Sequence, residues 1–256
     1  MNTIKVAAWI AFSVLVLGLP GRAGSQEKKE TPQPPRGEAK TPPPPPMPAP
    51  TVATPVYRPP LRGAPGGRVG GGTRGTGREV FVLAVLAPDH TGLTATDQPS
   101  LYWFISSSTS TPVELTLTDP RATQPVLELR VPPPVQPGVH RLRLADHGVR
   151  LAPGVAYRWY VAVVPDSGRR SKDILAGGAI ERVEPPAGLR ATVAQADQAE
   201  LPSLYAEAGL WYDAIAALSE RIERAPQDAA LRRQRAALLA QVGLPEIGEE
   251  EARTPR

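Results

Sequence analysis

The chain has 256 residues, a formal net charge of +4 and no cysteine. That length suffices for one or two domains with a real hydrophobic core. The absence of cysteine excludes disulfides, thiolate metal sites, a cysteine nucleophile and a lipidated N-terminal cysteine. Composition is uneven, since 15 of the 32 prolines fall at or before Pro65. An ordered core is therefore expected only further on, over about 78–245.

At the N-terminus Lys5 precedes an apolar run over 6–19, broken only by Ser13 and Gly18. Gly21 and Ala23 supply small residues at the −3 and −1 places of a cut after Ala23. The run is shorter than the ~20 residues a membrane span needs. Residues 1–23 thus read as a secretory signal peptide. The mature chain is expected in a bacterial periplasm or outside the cell, with no transmembrane segment after cleavage.

Residues 24–77 read as a disordered linker. The run Pro42 to Pro46, followed by Pro48, Pro50, Pro55, Pro59 and Pro60, favours extended polyproline II and buries little apolar surface. Beyond Leu61 the linker turns Gly- and Arg-rich. Arg58, Arg62, Arg68, Arg74 and Arg78 occur with no acidic residue among them before Glu79. Guanidinium groups on so flexible a backbone offer a grip on an anionic polymer, with Arg62, Arg68 and Arg74 as its candidate contacts. Gly70, Gly72 and Gly75 match G-x-G-x-x-G. However, no strand precedes them and no helix follows, so the match does not indicate a phosphate loop.

Seven strands are expected over 80–86, 100–106, 113–118, 126–131, 139–144, 157–164 and 174–183. Each shows β-branched or aromatic residues at period two and is bounded by Pro, Gly, Ser or Asp. Residues 89–98 read as a polar loop. The last strand is expected to bend at Gly177-Gly178, through a bulge or a close approach. Seven short strands without interleaved helices indicate an antiparallel β-sandwich over 78–186. The spacing Leu151-x-Pro153-Gly154-x-x-Tyr157 resembles the tyrosine corner of immunoglobulin and fibronectin-like sandwiches. Trp103 and Trp159 are the expected core aromatics.

After Pro186 the period changes to that of helices. Gly209 ends a first helical stretch, which Pro202 breaks or restarts. Residues 211–224 and 228–242 follow with apolar positions at helical spacing, and Gly243 ends the second. Tyr205, Gly209, Ala214, Leu218 and Pro226 resemble one tetratricopeptide repeat. Leu239 and Gly243 recur after that repeat's period. The expectation is a helical hairpin over 187–245 docked on the sandwich, with a disordered tail over 246–256.

The chain also resembles a bacterial family of exported proteins, domain-of-unknown-function family 928. The carriers are Arg62-Gly63, Gly70 to Gly75, Gly92-Leu93-Thr94, Tyr102-Trp103-Phe104, Tyr157 to Tyr160, and Leu204 to Ala214. The resemblance implies export and no known reaction.

Chemistry-bearing residues are few. Asp89-His90 and Asp146-His147 are adjacent pairs in expected turns, and adjacent side chains diverge, so neither forms a dyad by itself. Neither H-E-x-x-H nor G-x-S-x-G occurs. The pointed cluster is Trp211-Tyr212-Asp213. It can serve as an aromatic platform for a sugar or peptide, or as a buried anchor between hairpin and sandwich; the anchor is preferred, because aromatics mostly serve cores. The expected function is that of a non-enzymatic envelope protein binding or scaffolding another envelope protein. The alternative is an anionic polysaccharide bound through the arginines. Neither a cofactor, nor a metal, nor nucleic acid is expected.

Overall fold

The structure is a computed structural model and describes residues 53–60, 68–70 and 81–253. The expected signal peptide lies outside these residues, as do Arg62 and Arg74.

Among the described residues eight strands form two sheets. The first sheet is antiparallel and runs β1 (Leu83–Val85), β3 (Ser100–Ile105), β6 (Gly138–Arg143). The second runs β2 (Gly92–Thr94), β8 (Ile174–Arg182), β7 (Ala156–Val163), β4 (Val113–Thr118), β5 (Leu127–Val131). The chain is mainly β with α, as its periodicity predicts. One correction concerns β2, which falls in the stretch expected as a polar loop. A strand of three residues is too short to show a period. It lies parallel to β8, with Gly92 opposite Ile180, so the larger sheet is mixed rather than purely antiparallel. After β1 the chain meets Pro88, which cannot donate to a ladder, and then crosses to the other sheet.

Trp103 and Trp159 are both buried in the core. The tyrosine corner is present: the Ala152 N–H donates to Tyr157 Oη at 3.1 Å. This bond fixes the chain as it enters β7. In β8 the ladder to β7 runs unbroken from Ile174 to Glu181, so there is no bulge at the glycines. Instead they allow a close approach. A Cβ on Gly178 would lie 2.8 Å from that of Ala87 and 3.2 Å from the Trp159 indole nitrogen.

Five helices follow among the described residues: α1 (Leu189–Gln195), α2 (Leu201–Glu207), α3 (Trp211–Arg224), α4 (Ala229–Ala240) and α5 (Pro245–Arg253). Pro202 sits in the first turn of α2, where its missing N–H costs nothing, so it restarts the helix. Asp228 caps α4 by accepting from the Ala230 and Leu231 amides. A second correction is α5, which occupies most of the expected disordered tail. Ile247 is buried, and so is the pair Arg235–Glu251. Arg235 Nε donates to Glu251 Oε2 at 2.9 Å and Nη1 to Ser219 Oγ at 2.9 Å, which ties α3, α4 and α5 together.

Gly209 and Gly243 both take left-handed backbone, at φ +76° and +73°. Each closes the same turn, with Leu210 N bonded to Tyr205 O and Leu244 N to Leu239 O. The α2–α3 and α4–α5 pairs are thus built on one turn that recurs after 34 residues. The helices cover the outer face of the three-stranded sheet. Tyr102 and Phe104 of β3 are buried on that side, and Arg141 of β6 pairs with Glu223 of α3 at 2.8 Å. Leu101, Trp103 and Ile105 fill the opposite face of the same strand.

Candidate functional site

Consecutive residues at the start of a helix project about 100° apart, so three neighbours reach in three directions. Trp211, Tyr212 and Asp213 do this at the point where the sheet edges converge on α3. Trp211 Nε1 donates to the Leu86 carbonyl, just past β1, at 2.9 Å. Tyr212 Oη accepts from Trp159 Nε1 at 2.9 Å and donates to the Ala179 carbonyl of β8 at 3.0 Å. Asp213 accepts from the Ala95 amide at 3.0 Å and from Thr96 Oγ1 at 2.8 Å, just past β2. All three side chains are buried, with Trp211 fully enclosed. Burial pushes the Asp213 carboxyl above the usual carboxylate range, against the pull of Thr96, Ala95 and Thr94. It pushes the Tyr212 phenol up as well. The cluster latches the helices to both sheets, and its ring faces are not offered to a sugar or peptide.

A strap lies over this latch. Tyr57 meets Trp211 edge-on, with ring centroids 5.1 Å apart, and its hydroxyl is 2.9 Å from His90 Nε2. The Tyr57 amide donates to Gln241 Oε1 at 2.8 Å, and Gln241 Nε2 donates to the Pro55 carbonyl at 2.9 Å. Arg58 N donates to Ala206 O at 3.0 Å, at the end of α2. Val69 exchanges two hydrogen bonds with Gly177 on β8. Arg68 donates to the carbonyls of Val242 at 2.9 Å, Gly243 at 3.2 Å and Ala87 at 3.3 Å. Residues 53–60 and 68–70 are therefore packed, although they fall in the span expected as linker. A lone tyrosine in a Pro-rich stretch was the available signal. What it lacked was any sign of its partners, Gln241 and Trp211. Arg68 is committed to three carbonyls, and burial lowers its pKa against the pull of Asp89.

Residues 69–252 match Domain of Unknown Function (DUF928). The chain belongs to the DUF928 family. No curated protein matches it. The match opens at Val69 on the β8 edge and closes within α5, so the DUF928 unit takes in both sheets and all five helices. Tyr57, which seals the latch, lies upstream of it.

Two of the three histidines of this DUF928 protein, His90 and His140, are tied into packing. His140 stacks on Trp103 at 4.3 Å and bonds to the Gln136 carbonyl at 2.7 Å. Burial lowers the His90 pKa, opposed by Asp89. His147 sits in a short 3-10 turn. Among the described residues no group of His, Asp or Glu is placed to hold a metal ion. No described helix is long and apolar enough to cross a membrane. An open groove of about 850 Å3 lies between α1 and α2. Ala196, Ala199 and Leu204 form its apolar part, and Asp197, Glu200 and Glu207 its charged part.

Proposed function

We propose that the protein is a non-enzymatic, exported envelope protein that binds or scaffolds another envelope protein. The observation that carries this reading is the groove between α1 and α2. It is open, and its three carboxylates make no ion pair among the described residues. By contrast, the aromatic cluster, His90 and His140 are occupied by internal contacts. The export signal over 1–23 and the Pro-rich stretch ahead of Ala53 support placement at a distance from a membrane or wall. The turn that recurs in the α2–α3 and α4–α5 pairs supports a repeat-like helical unit, a class whose stacked helices offer concave binding surfaces. The partner segment would be basic, to meet Asp197, Glu200 and Glu207.

Site-specific photo-cross-linking from Thr192 and Ser203 in intact cells tests the reading. One discrete adduct, abolished by Glu200→Lys with Glu207→Lys, is the expected result. No adduct, or one indifferent to charge reversal, would overturn it. Deleting the helices is not a usable control, because α3 completes the sandwich edges. For the alternative, an anionic polysaccharide, the commitment of Arg68 to carbonyls counts against its share of the grip.

A further inference from the structure

A cleft of about 130 Å3 lies between the outer face of the three-stranded sheet and the ends of α3, α4 and α5. Phe104, Val139, Ile222 and Pro226 make one side of it apolar. Tyr102 and Arg232 also line it, and each has a buried polar atom without a hydrogen-bond partner: Tyr102 Oη and Arg232 Nε. Buried polar groups are nearly always paired, so two orphans on one cleft call for an explanation.

The surrounding charges are largely committed to one another. Arg141 stands opposite Tyr102 in the β3–β6 register, but its guanidinium pairs with Glu223. It also reaches the Tyr102 hydroxyl as a donor, which pulls the Tyr102 pKa down although burial raises it on balance, and leaves the phenol's own O–H to be satisfied. Arg235 is held by Glu251 and Ser219. Arg232 donates through Nη1 to the Pro226 carbonyl and leaves Nε bare.

A single water requires roughly 10–15 Å3 by this measure, so the cleft has room for several heavy atoms. The bare groups are an N–H donor on a cation and a phenol that can donate. They call for acceptor oxygens, while the opposite wall calls for apolar contact. Glu223, Glu250 and Glu251 also line the cleft and would repel a second negative charge. We propose that this cleft binds a small organic monocarboxylate, with its carboxylate toward Arg232 and Tyr102 and a compact apolar body against Phe104, Val139 and Ile222. A mostly apolar lining with a few placed polar groups is the usual make-up of small-molecule sites. Arg232 is only half-buried, and turning its Nε toward the ligand requires its Nη1 bond to the Pro226 carbonyl to rearrange. This site is separate from the α1–α2 groove, and its existence does not depend on a protein partner.

The test is a titration of the mature full chain, labelled with 15N, followed by NMR. The probes are benzoate, benzyl alcohol as the uncharged ring, and acetate as the charge without the ring. Benzoate should shift the amides of residues 138–141 and 222–225 saturably, and the two controls should do so far more weakly. Arg232→Gln should weaken benzoate about tenfold, the loss of one charged hydrogen bond, with an unchanged melting temperature. Tyr102→Phe should also weaken it. Equal shifts from benzyl alcohol, binding indifferent to Arg232→Gln, shifts confined to other surfaces, or no saturable shift would each overturn the proposal. So would a Tyr102→Phe protein that melts higher and binds benzoate unchanged, since the hydroxyl would then face an idle void.

Discussion

At Tyr157 one hydroxyl fixes the entry to a strand. Tyr157→Phe leaves the Ala152 N–H without its partner and should cost about 1–3 kcal/mol, read from urea unfolding. This corner was legible, because its signal is a local spacing of turn residues before an aromatic. The role of Trp211 was not legible in the same way. Its indole bonds to Leu86, 125 positions away, and no local pattern announces such a partner. Trp211→Ala should cost about 3–5 kcal/mol, as for other truncations of buried tryptophan. A mutant of unchanged stability would mean the side chain is not an anchor. Asp213 gives a pH signature. Burial raises its folded-state pKa above the unfolded value of ~3.9, so the folded state holds the proton more tightly. That contribution to stability is full below the unfolded pKa and is lost as pH rises through the folded pKa. The stability of the natural protein relative to Asp213→Asn should therefore fall with rising pH across that window. Unfolding midpoints taken over a pH series check this, and a difference that rises with pH would contradict it.

Among the elements, the long periodic ones were read with little error. The predicted helix over 211–224 is α3 to the residue, and β4 matches its predicted span. The misses are short or charge-dependent. β2 has three residues, and its pairing with β8 comes from a neighbour about 90 positions later. In α5 the run Glu249-Glu250-Glu251 looks solvated, yet Glu251 turns inward to Arg235. Removing one partner of a buried pair strands the other charge. Arg235→Ala should thus destabilise by about 3–5 kcal/mol, whereas a double change to apolar residues of similar volume should recover most of the loss. Circular dichroism during denaturation checks both. An Arg235→Ala protein as stable as its parent would show that Glu251 reaches water instead.

For the molecule as a whole, the boundary drawn from the sequence near residue 78 falls between two pieces that belong together. The strap and the latch bind sandwich and helices through shared residues, so the body should melt as one unit. Calorimetry of the chain should show a single transition, and a variant lacking residues 1–70 should melt lower, with Trp211 and the Val242 carbonyl uncovered. Two separated transitions in the intact protein would contradict this. The contact between Tyr57 and Gln241 has a further consequence, for timing. It spans 184 positions, nearly the full stretch of described residues. Closing so wide a loop is entropically slow to be rewarded. In a chain delivered N-terminus first, Tyr57 emerges early and waits with nowhere to sit. Its seat exists only once α4 has arrived and packed, so the residue made among the first is among the last to settle.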